Sequence, residues 1–279
     1  MKAGRLVLVA TPIGNMADLS PRAVEALRTA DAICCEDSRR TGKLLERAGV
    51  SRRAPLLVVN DHTEANRIGE VLARLARGER VAVVTDAGTP GISDPGERLV
   101  RAATAQGFVV EVVPGPSAAI AALVASGLPT GRFVFEGFLP RKGSGRSERL
   151  ELLASEPRTI VLYEAPHRLA RTLADLVSAF GPERRVVVAR ELTKLHEEVV
   201  RGTLADVSSW ASEGAPRGEY VLVIDGAPAP DVASDDEVLV AVREALARGL
   251  SARDAASEVA RSLGVPKRRA YSLATTAAR

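Results

Sequence analysis

Short, continuously apolar runs of four or five residues recur along this chain, each closed by a turn and followed by a stretch with helical spacing. That alternation limits the fold more than any other feature. Leu6–Ala10 is the first run, ended by Thr11-Pro12-Ile13-Gly14-Asn15. Ser20-Pro21 reads as an N-cap followed by proline at the first helical position, with Val24 and Leu27 on one apolar face. Further strands are expected at Ala32–Cys35, Leu56–Val59, Val81–Thr85 and Val109–Val113. Ile68, Val71, Leu72 and Leu75 mark an intervening helix by their 3-4 spacing. Strands and helices joined by short loops predict a largely parallel sheet covered on both faces.

A break is expected at Gly127-Leu128-Pro129-Thr130-Gly131. Beyond it, strands near Phe133–Gly137, Thr159–Tyr163, Val186–Arg190, Glu198–Gly202 and Tyr220–Ile224 alternate with helices near 147–154, 167–179 and 204–213, and some strands lie close enough for hairpins. This second sheet should be mixed. Gly226–Asp236, with two prolines, three alanines and three aspartates, reads as a linker to a small helical tail. The division expected is 1–128, 129–226, a linker over 227–236 and a helical module over 237–279.

Hydrophobic residues at 46% and charged residues at 26% suit a soluble globular chain, and no apolar run approaches the ~18 residues that cross a bilayer. The N-terminus shows no signal-peptide cleavage pattern. Cys34 and Cys35 are neighbours that point to opposite faces of one strand, so they make a poor disulfide pair and fit a reducing cytoplasm. Glu237–Arg279 holds eight Lys/Arg against four Asp/Glu, a net +4; the whole chain is +3, so the preceding 236 residues sum to −1. A basic tail on a near-neutral body suggests a polyanionic partner or a solvated helical face. Aromatic residues are only 3%, which argues against base stacking as the main RNA contact.

Several chemistries are excluded by spacing. His62, His167 and His196 lie far apart and the cysteines lack a CxxC spacing, so no metal is expected. A Walker loop ending at Gly42-Lys43 would need glycine where Asp37 stands. Neither a GxGxxG after the first strand nor a GxSxG elbow is present. What remains is glycine, proline and small hydroxyl residues at three strand ends, the place where open α/β sheets bind ligands. In Asp86-Ala87-Gly88-Thr89-Pro90-Gly91-Ile92-Ser93-Asp94-Pro95-Gly96, glycines allow close backbone approach, and Asp86 and Asp94 can accept from a ribose or an ammonium group. Pro114-Gly115-Pro116-Ser117 sets a hydroxyl and free amides at a helix start, suited to a carboxylate. Each loop alone is also an ordinary tight turn; together they favour a small-molecule site.

These loops resemble the tetrapyrrole methylase superfamily, and within it the family of ribosomal RNA small subunit methyltransferase I, the 2′-O-cytidine methylases. The motifs, over roughly residues 6 to 225, are Val9–Asn15, Glu36-Asp37-Ser38-Arg39, Asp86–Gly96, Pro114–Ser117, Ser126–Thr130, Gly137-Phe138-Leu139-Pro140-Arg141-Lys142, Tyr163-Glu164-Ala165-Pro166-His167-Arg168 and Arg190-Glu191-Leu192-Thr193-Lys194. One is weak; eight in order are specific. Ser38 departs from the threonine expected there, with the hydroxyl kept. The resemblance implies an α/β protein of two domains of tetrapyrrole-methylase type, with S-adenosyl-L-methionine in the interdomain cleft and a small C-terminal helical module. It implies cofactor contacts at Pro12, Asp86, Gly88, Thr89, Ile92, Asp94, Pro114, Ser117, Ala118, Leu162 and Tyr163. It further implies a cytoplasmic homodimer that methylates a cytidine 2′-hydroxyl in 16S ribosomal RNA of the decoding region, with no metal and no membrane.

A ribose hydroxyl is a poor nucleophile, so a group must take its proton. Lys142 is the first candidate, as a cleft lysine desolvated or crowded by Arg141, Arg146 and Arg149; a phosphate contact is its plainer role. Asp37 is a second candidate base and Arg39 a group that orients a phosphate or the hydroxyl, against a plain helix-capping cluster. Arg40, Arg141 and Arg146 are expected to grip RNA, the last two from a mobile basic loop over Phe138–Leu150. His167 reads as structural, and Lys194 as a local partner of Glu197 and Glu198 that could also meet RNA. The rival readings are a methylase of a small molecule such as a tetrapyrrole precursor, and a non-catalytic RNA-binding assembly factor.

Overall fold

The computed structural model describes residues 4–51, 53–60, 63–214, 216–228 and 233–277. Chain contacts divide the molecule into two compact units, Met1–Ala227 and Pro228–Arg279.

The larger unit begins with the expected parallel sheet. Its strands are β1 (Arg5–Val9), β2 (Ala32–Cys35), β3 (Leu56–Val58), β4 (Arg80–Val83) and β5 (Val109–Val113), in the order β3-β2-β4-β1-β5. Every pairing is parallel. The crossovers are helices α1 (Pro21–Arg28), α2 (Ser38–Arg47), α3 (Glu64–Ala76) and α4 (Glu97–Ala105). Successive strand residues face opposite sides. Val7, Val9, Ile33 and Cys35 therefore meet α1 and α2, while Leu6, Ala32, Cys34 and Val81 meet α3 and α4. The adjacent cysteines sit in different cores, both free, and burial pushes the Cys34 thiol up to about 12. Ser20 caps α1 by accepting from the Ala23 amide, ahead of Pro21.

Helix α2 left little trace in the sequence beyond the helix-capping alternative for Asp37 and Arg39. It is mostly polar, holds Gly42, and buries only Thr41 and Leu45, too few apolar positions for a clear period.

The second sheet has the order β6-β7-β10-β8-β9, from β6 (Phe133–Phe138), β7 (Thr159–Glu164), β8 (Arg185–Arg190), β9 (Glu198–Thr203) and β10 (Tyr220–Ile224). β6 and β7 run parallel and the other pairs antiparallel, so the sheet is mixed as expected. Helices α6 (Ser144–Ala154), α7 (Leu169–Phe180) and α8 (Leu204–Glu213) bury one face around Leu162, Leu173, Leu176 and Leu222. Helix α5 (Ala118–Ser126) covers the other: Ala119, Ala122 and Leu123 pack on Val161, Val187 and Val223. The expected boundary after residue 128 left α5 with the first sheet; its packing belongs to the second, which ties both sheets into one unit.

The smaller unit holds α9 (Asp235–Ala247), α10 (Ala252–Ser262) and α11 (Lys267–Ala277). Its core is built from valine and alanine, including Val238, Val242, Ala256, Val259 and Ala270. Ser234 and Glu237 form a reciprocal capping box at the start of α9. Residues 229–232 of the expected linker lie outside the described residues, as does His62.

Candidate active site

The carboxyl ends of the parallel strands carry the loops singled out in the sequence, and these loops are stitched together. Thr11 at the end of β1 donates its amide to the Gly88 carbonyl at 2.9 Å, and Gly88 returns its own to Thr11 at 3.1 Å. Gly88 makes this bridge at φ +79°, a conformation that favours glycine. The Thr89 hydroxyl donates to the Pro116 carbonyl at 3.3 Å, tying the loop after β4 to the one after β5. From behind, the buried Glu64 carboxylate accepts from the amides of Gly96, Arg98 and Leu99. That fixes the far end of the loop onto the start of α4, where a negative charge also complements the helix dipole. No pattern in the sequence pointed to Glu64; its role depends on α3 lying beside α4.

Opposite these loops stands the second sheet, and between them lies a cavity of about 360 Å³. Asp86, Gly88, Thr89, Ile92, Asp94, Ser117, Ala118 and Tyr163 all line it. Pro12 lines an adjoining groove. Two expected residues lie outside this lining. Leu162 is 1% exposed and packs among α6, α7 and α8, because its neighbour Tyr163 takes the cavity face of β7 and adjacent strand side chains alternate. Pro114 is exposed and outside the cavity lining. Glu219, Tyr220 and Val221 line the cavity although the sequence reading did not flag them. Tyr220 and Val221 belong to an ordinary-looking apolar strand that only the sheet order brings to this edge, and Glu219 immediately precedes it.

Tyr163 joins the lobes. Its hydroxyl accepts from the Ala119 amide at 3.3 Å, and its ring meets Phe135 and Phe138 edge-on at 5.0 and 5.7 Å. Burial raises its pKa above the usual phenol value. Ser93 holds φ +60° on one side of the gap, against Gly137 at φ +59° on the other. A Cβ on Gly137 would lie 3.0 Å from the Ser93 hydroxyl, so glycine permits the approach.

The cavity is rich in carboxylates: Glu36, Asp86, Asp94 and Glu219 all line it. Asp86 accepts from the Asp37 amide at 3.2 Å and pairs with Arg40, also at 3.2 Å, yet burial still raises its pKa. Asp37, by contrast, accepts from the Arg39 amide at the start of α2 and pairs with the Arg39 guanidinium at 2.7 Å. These bonds hold its carboxyl well below the usual carboxylate range. An acid so firmly ionised is a weak proton acceptor at neutral pH. Asp37 and Arg39 thus stand in the helix-capping arrangement that was the alternative to their roles as base and orienting group.

Lys142 is exposed and lies outside the cavity lining, so the desolvated cleft lysine expected from the sequence is not formed. Arg141 is exposed as well. Arg146 is the clearest correction. Its segment is helix α6, not a loop, and its side chain points inward with the residue 5% exposed. It donates to Asp175 at 2.8 Å, to the Thr172 hydroxyl at 3.0 Å and to the Pro140 carbonyl at 2.9 Å. Thr172 donates in turn to Glu164 at 2.6 Å, and Glu164 pairs with Arg168, which donates to the Leu139 carbonyl at 2.7 Å. The buried Arg146 and the half-buried Arg168 thus clamp the Leu139-Pro140 backbone beside the cavity. Arg149 pairs with Glu136. His167 is exposed on a short turn. Lys194 pairs with Glu191 at 2.8 Å and Glu219 at 2.9 Å in place of Glu197 or Glu198. Burial lowers its pKa, but the hydrogen bonds and charges of those two carboxylates outweigh it and leave the pKa above the usual value. Among the described residues, no cluster of His, Cys, Asp and Glu could hold a metal ion.

A parallel and a mixed sheet facing each other across a cavity at the strand ends define a class. Residues 5–208 match the family model of Tetrapyrrole (Corrin/Porphyrin) Methylases. The fold is shared with the methyltransferase CobJ, at TM-score 0.61 and 22% identity over 84% of this chain and 98% of that one. A uroporphyrin-III C-methyltransferase from Thermus thermophilus, complexed with S-adenosylhomocysteine, matches at TM-score 0.56 and 21% identity, over 80% and 97%. Among curated relatives, ribosomal RNA small subunit methyltransferase I of Synechocystis is 48% identical over 97% of both chains. Those of Mycobacterium tuberculosis and Escherichia coli O157:H7 are 46% and 42% identical, each over 97% of this chain and 94% of the other. The chain belongs to the tetrapyrrole methylases and, within them, to the ribosomal RNA small subunit methyltransferase I family. It is a methyltransferase.

Proposed function

We propose that this enzyme moves a methyl group from S-adenosyl-L-methionine to the 2′-hydroxyl of a cytidine in 16S ribosomal RNA. The observation that carries the reading is identity of 42–49% along nearly the whole chain to relatives named for small-subunit ribosomal RNA, coupled to a cavity whose lining suits the donor.

The fit is chemical. A sulfonium is cationic, and Glu36, Asp86, Asp94 and Glu219 give the cavity a negative lining. Its volume of about 360 Å³ falls within the roughly 300–1,000 Å³ of small-molecule sites. Asp86 and Asp94 would accept from ribose hydroxyls or the donor's ammonium group, and the start of α5 at Ser117-Ala118 would face its carboxylate. Ile13, Ile92, Phe138 and Leu192 offer apolar surface to the adenine. When bound, the donor supplies an activated methyl group for in-line displacement. The chain's own task is then to hold the acceptor oxygen in line and receive its proton. Asp86 and Glu219 line both the cavity and the adjoining groove. Asp86, placed where the cavity and the groove meet, is the carboxylate we assign as proton acceptor, and burial raises its pKa above the ordinary value.

Exposed Arg141 and the junction residue Arg40 are the RNA contacts kept from the sequence reading. No described helix is long and apolar enough to cross a membrane, and a ribosomal substrate would be met in the cytoplasm. Ile120 and Val124 on α5, with Val112 on the edge strand β5, form exposed apolar positions that a second copy would cover, giving a homodimer.

Ribose-methylation mapping of ribosomal RNA from a strain lacking the gene, with and without the gene restored, tests the proposal. One cytidine should lose and regain its 2′-O-methyl mark. A mark on a base, or methyl incorporation into a tetrapyrrole and not into subunits, would overturn the reading.

A further inference from the structure

The cavity does not end at Asp86. A groove of about 280 Å³ continues from it, sharing Ile13, Arg40, Asp86, Ala87 and Glu219 with the cavity lining. One wall is the face of α2 that carries Arg40, Lys43, Leu44 and Arg47. These stand at i, i+3, i+4 and i+7, the spacing that lines up side chains along one helix face. The opposite wall is the turn holding Lys194. That turn is set firmly against the end of β1. The Asn15 amide donates to the Thr193 hydroxyl at 3.1 Å, and a Cβ on Gly14 would come within 2.4 Å of Lys194 Cγ.

The cations in this groove fall into two kinds. Arg40 is held by Asp86, and Lys194 by Glu191 and Glu219. Lys43 and Arg47 are exposed and make no ion pair among the described residues. Four cations against two carboxylates line the groove, and the two unpaired cations lie at the end away from the cavity's acids. From Arg40 to Arg47 the helix rises roughly 10 Å, enough to follow two or three successive phosphates of one strand.

Resting on the reading of the chain as a ribosomal RNA methylase, we propose that this groove is the acceptor-strand subsite. Lys43 and Arg47 bind phosphodiester groups flanking the target nucleotide, and Arg40 marks the point where the strand turns into the cavity. The ligand class is an RNA backbone, recognised by charge and not by base.

The experiment uses the full chain and unmethylated small ribosomal subunits. Gln matches Lys and Arg in helix propensity, so the exposed double variant Lys43→Gln, Arg47→Gln should fold normally. Its affinity for subunits should fall about tenfold at ~0.1 M salt, and the slope of log affinity against log salt should flatten by between one and two. Affinity for S-adenosylmethionine, read by calorimetry, should stay as in the wild type. Unchanged subunit affinity and slope would overturn the subsite, as would a loss of donor affinity, which would assign the groove to the donor. Wild-type activity on the subunits separately tests the underlying reading: binding without methylation would sink the function proposed above, while the salt slopes would still decide the groove.

Discussion

Two short basic segments border the site, and the fold uses them in opposite ways. On α6 and the turn before it, Arg146 and Arg149 turn to carboxylates of their own lobe, and Arg146 is buried among Asp175, Thr172 and Pro140. On α2, Lys43 and Arg47 remain exposed along a groove. Charge density along the sequence is similar in the two places. What differs is whether a neighbouring element presents an acceptor, and α7 does so for α6. A run of arginines is therefore a poor guide to a nucleic-acid surface until the partners of each are known.

The largest effect should come from Arg146→Ala. It strands the partly exposed Asp175 carboxylate and two further acceptors, the Thr172 hydroxyl and the Pro140 carbonyl, and should cost about 2–3 kcal/mol of stability, read by denaturant unfolding. Loss of RNA affinity at unchanged stability would instead mean that Arg146 reaches the substrate, and the contrast would collapse. Thr172→Val removes the hydroxyl that relays Arg146 to Glu164 while keeping its shape, and should cost about 1–2 kcal/mol in the same measurement. Arg149→Ala breaks a pair that is half in solvent on the arginine side. It should cost less than about 1 kcal/mol, so a value near that of Arg146 would show the α6 cations acting as one unit. Smallest of all, Lys43→Gln and Arg47→Gln should each shift stability by no more than ~0.5 kcal/mol. A larger shift would mean that these side chains are held internally after all.

Much of the frame was legible. Buried parallel strands must be apolar on both faces, so β1, β2 and β4 stood out as apolar runs, and the glycine and proline loops after β1, β4 and β5 marked the ligand edge. Helix α2 was legible only through its possible cap, because a polar surface helix with two buried residues has almost no period. The pairing of Leu162 with Tyr163 shows another limit. Both belong to one motif, yet a strand turns only one of two neighbours toward a cavity, and it is Tyr163 that lies there.

The sequence by itself determined most of the elements, the loop chemistry and the family, because these rest on local spacing and on residue types that backbone geometry demands. The tertiary structure alone decided which charges are free. Asp37 became a cap, Arg146 a clamp, and Lys43 and Arg47 an open groove, since an ion pair forms only where two side chains distant in sequence are brought within a few ångströms and partly out of water.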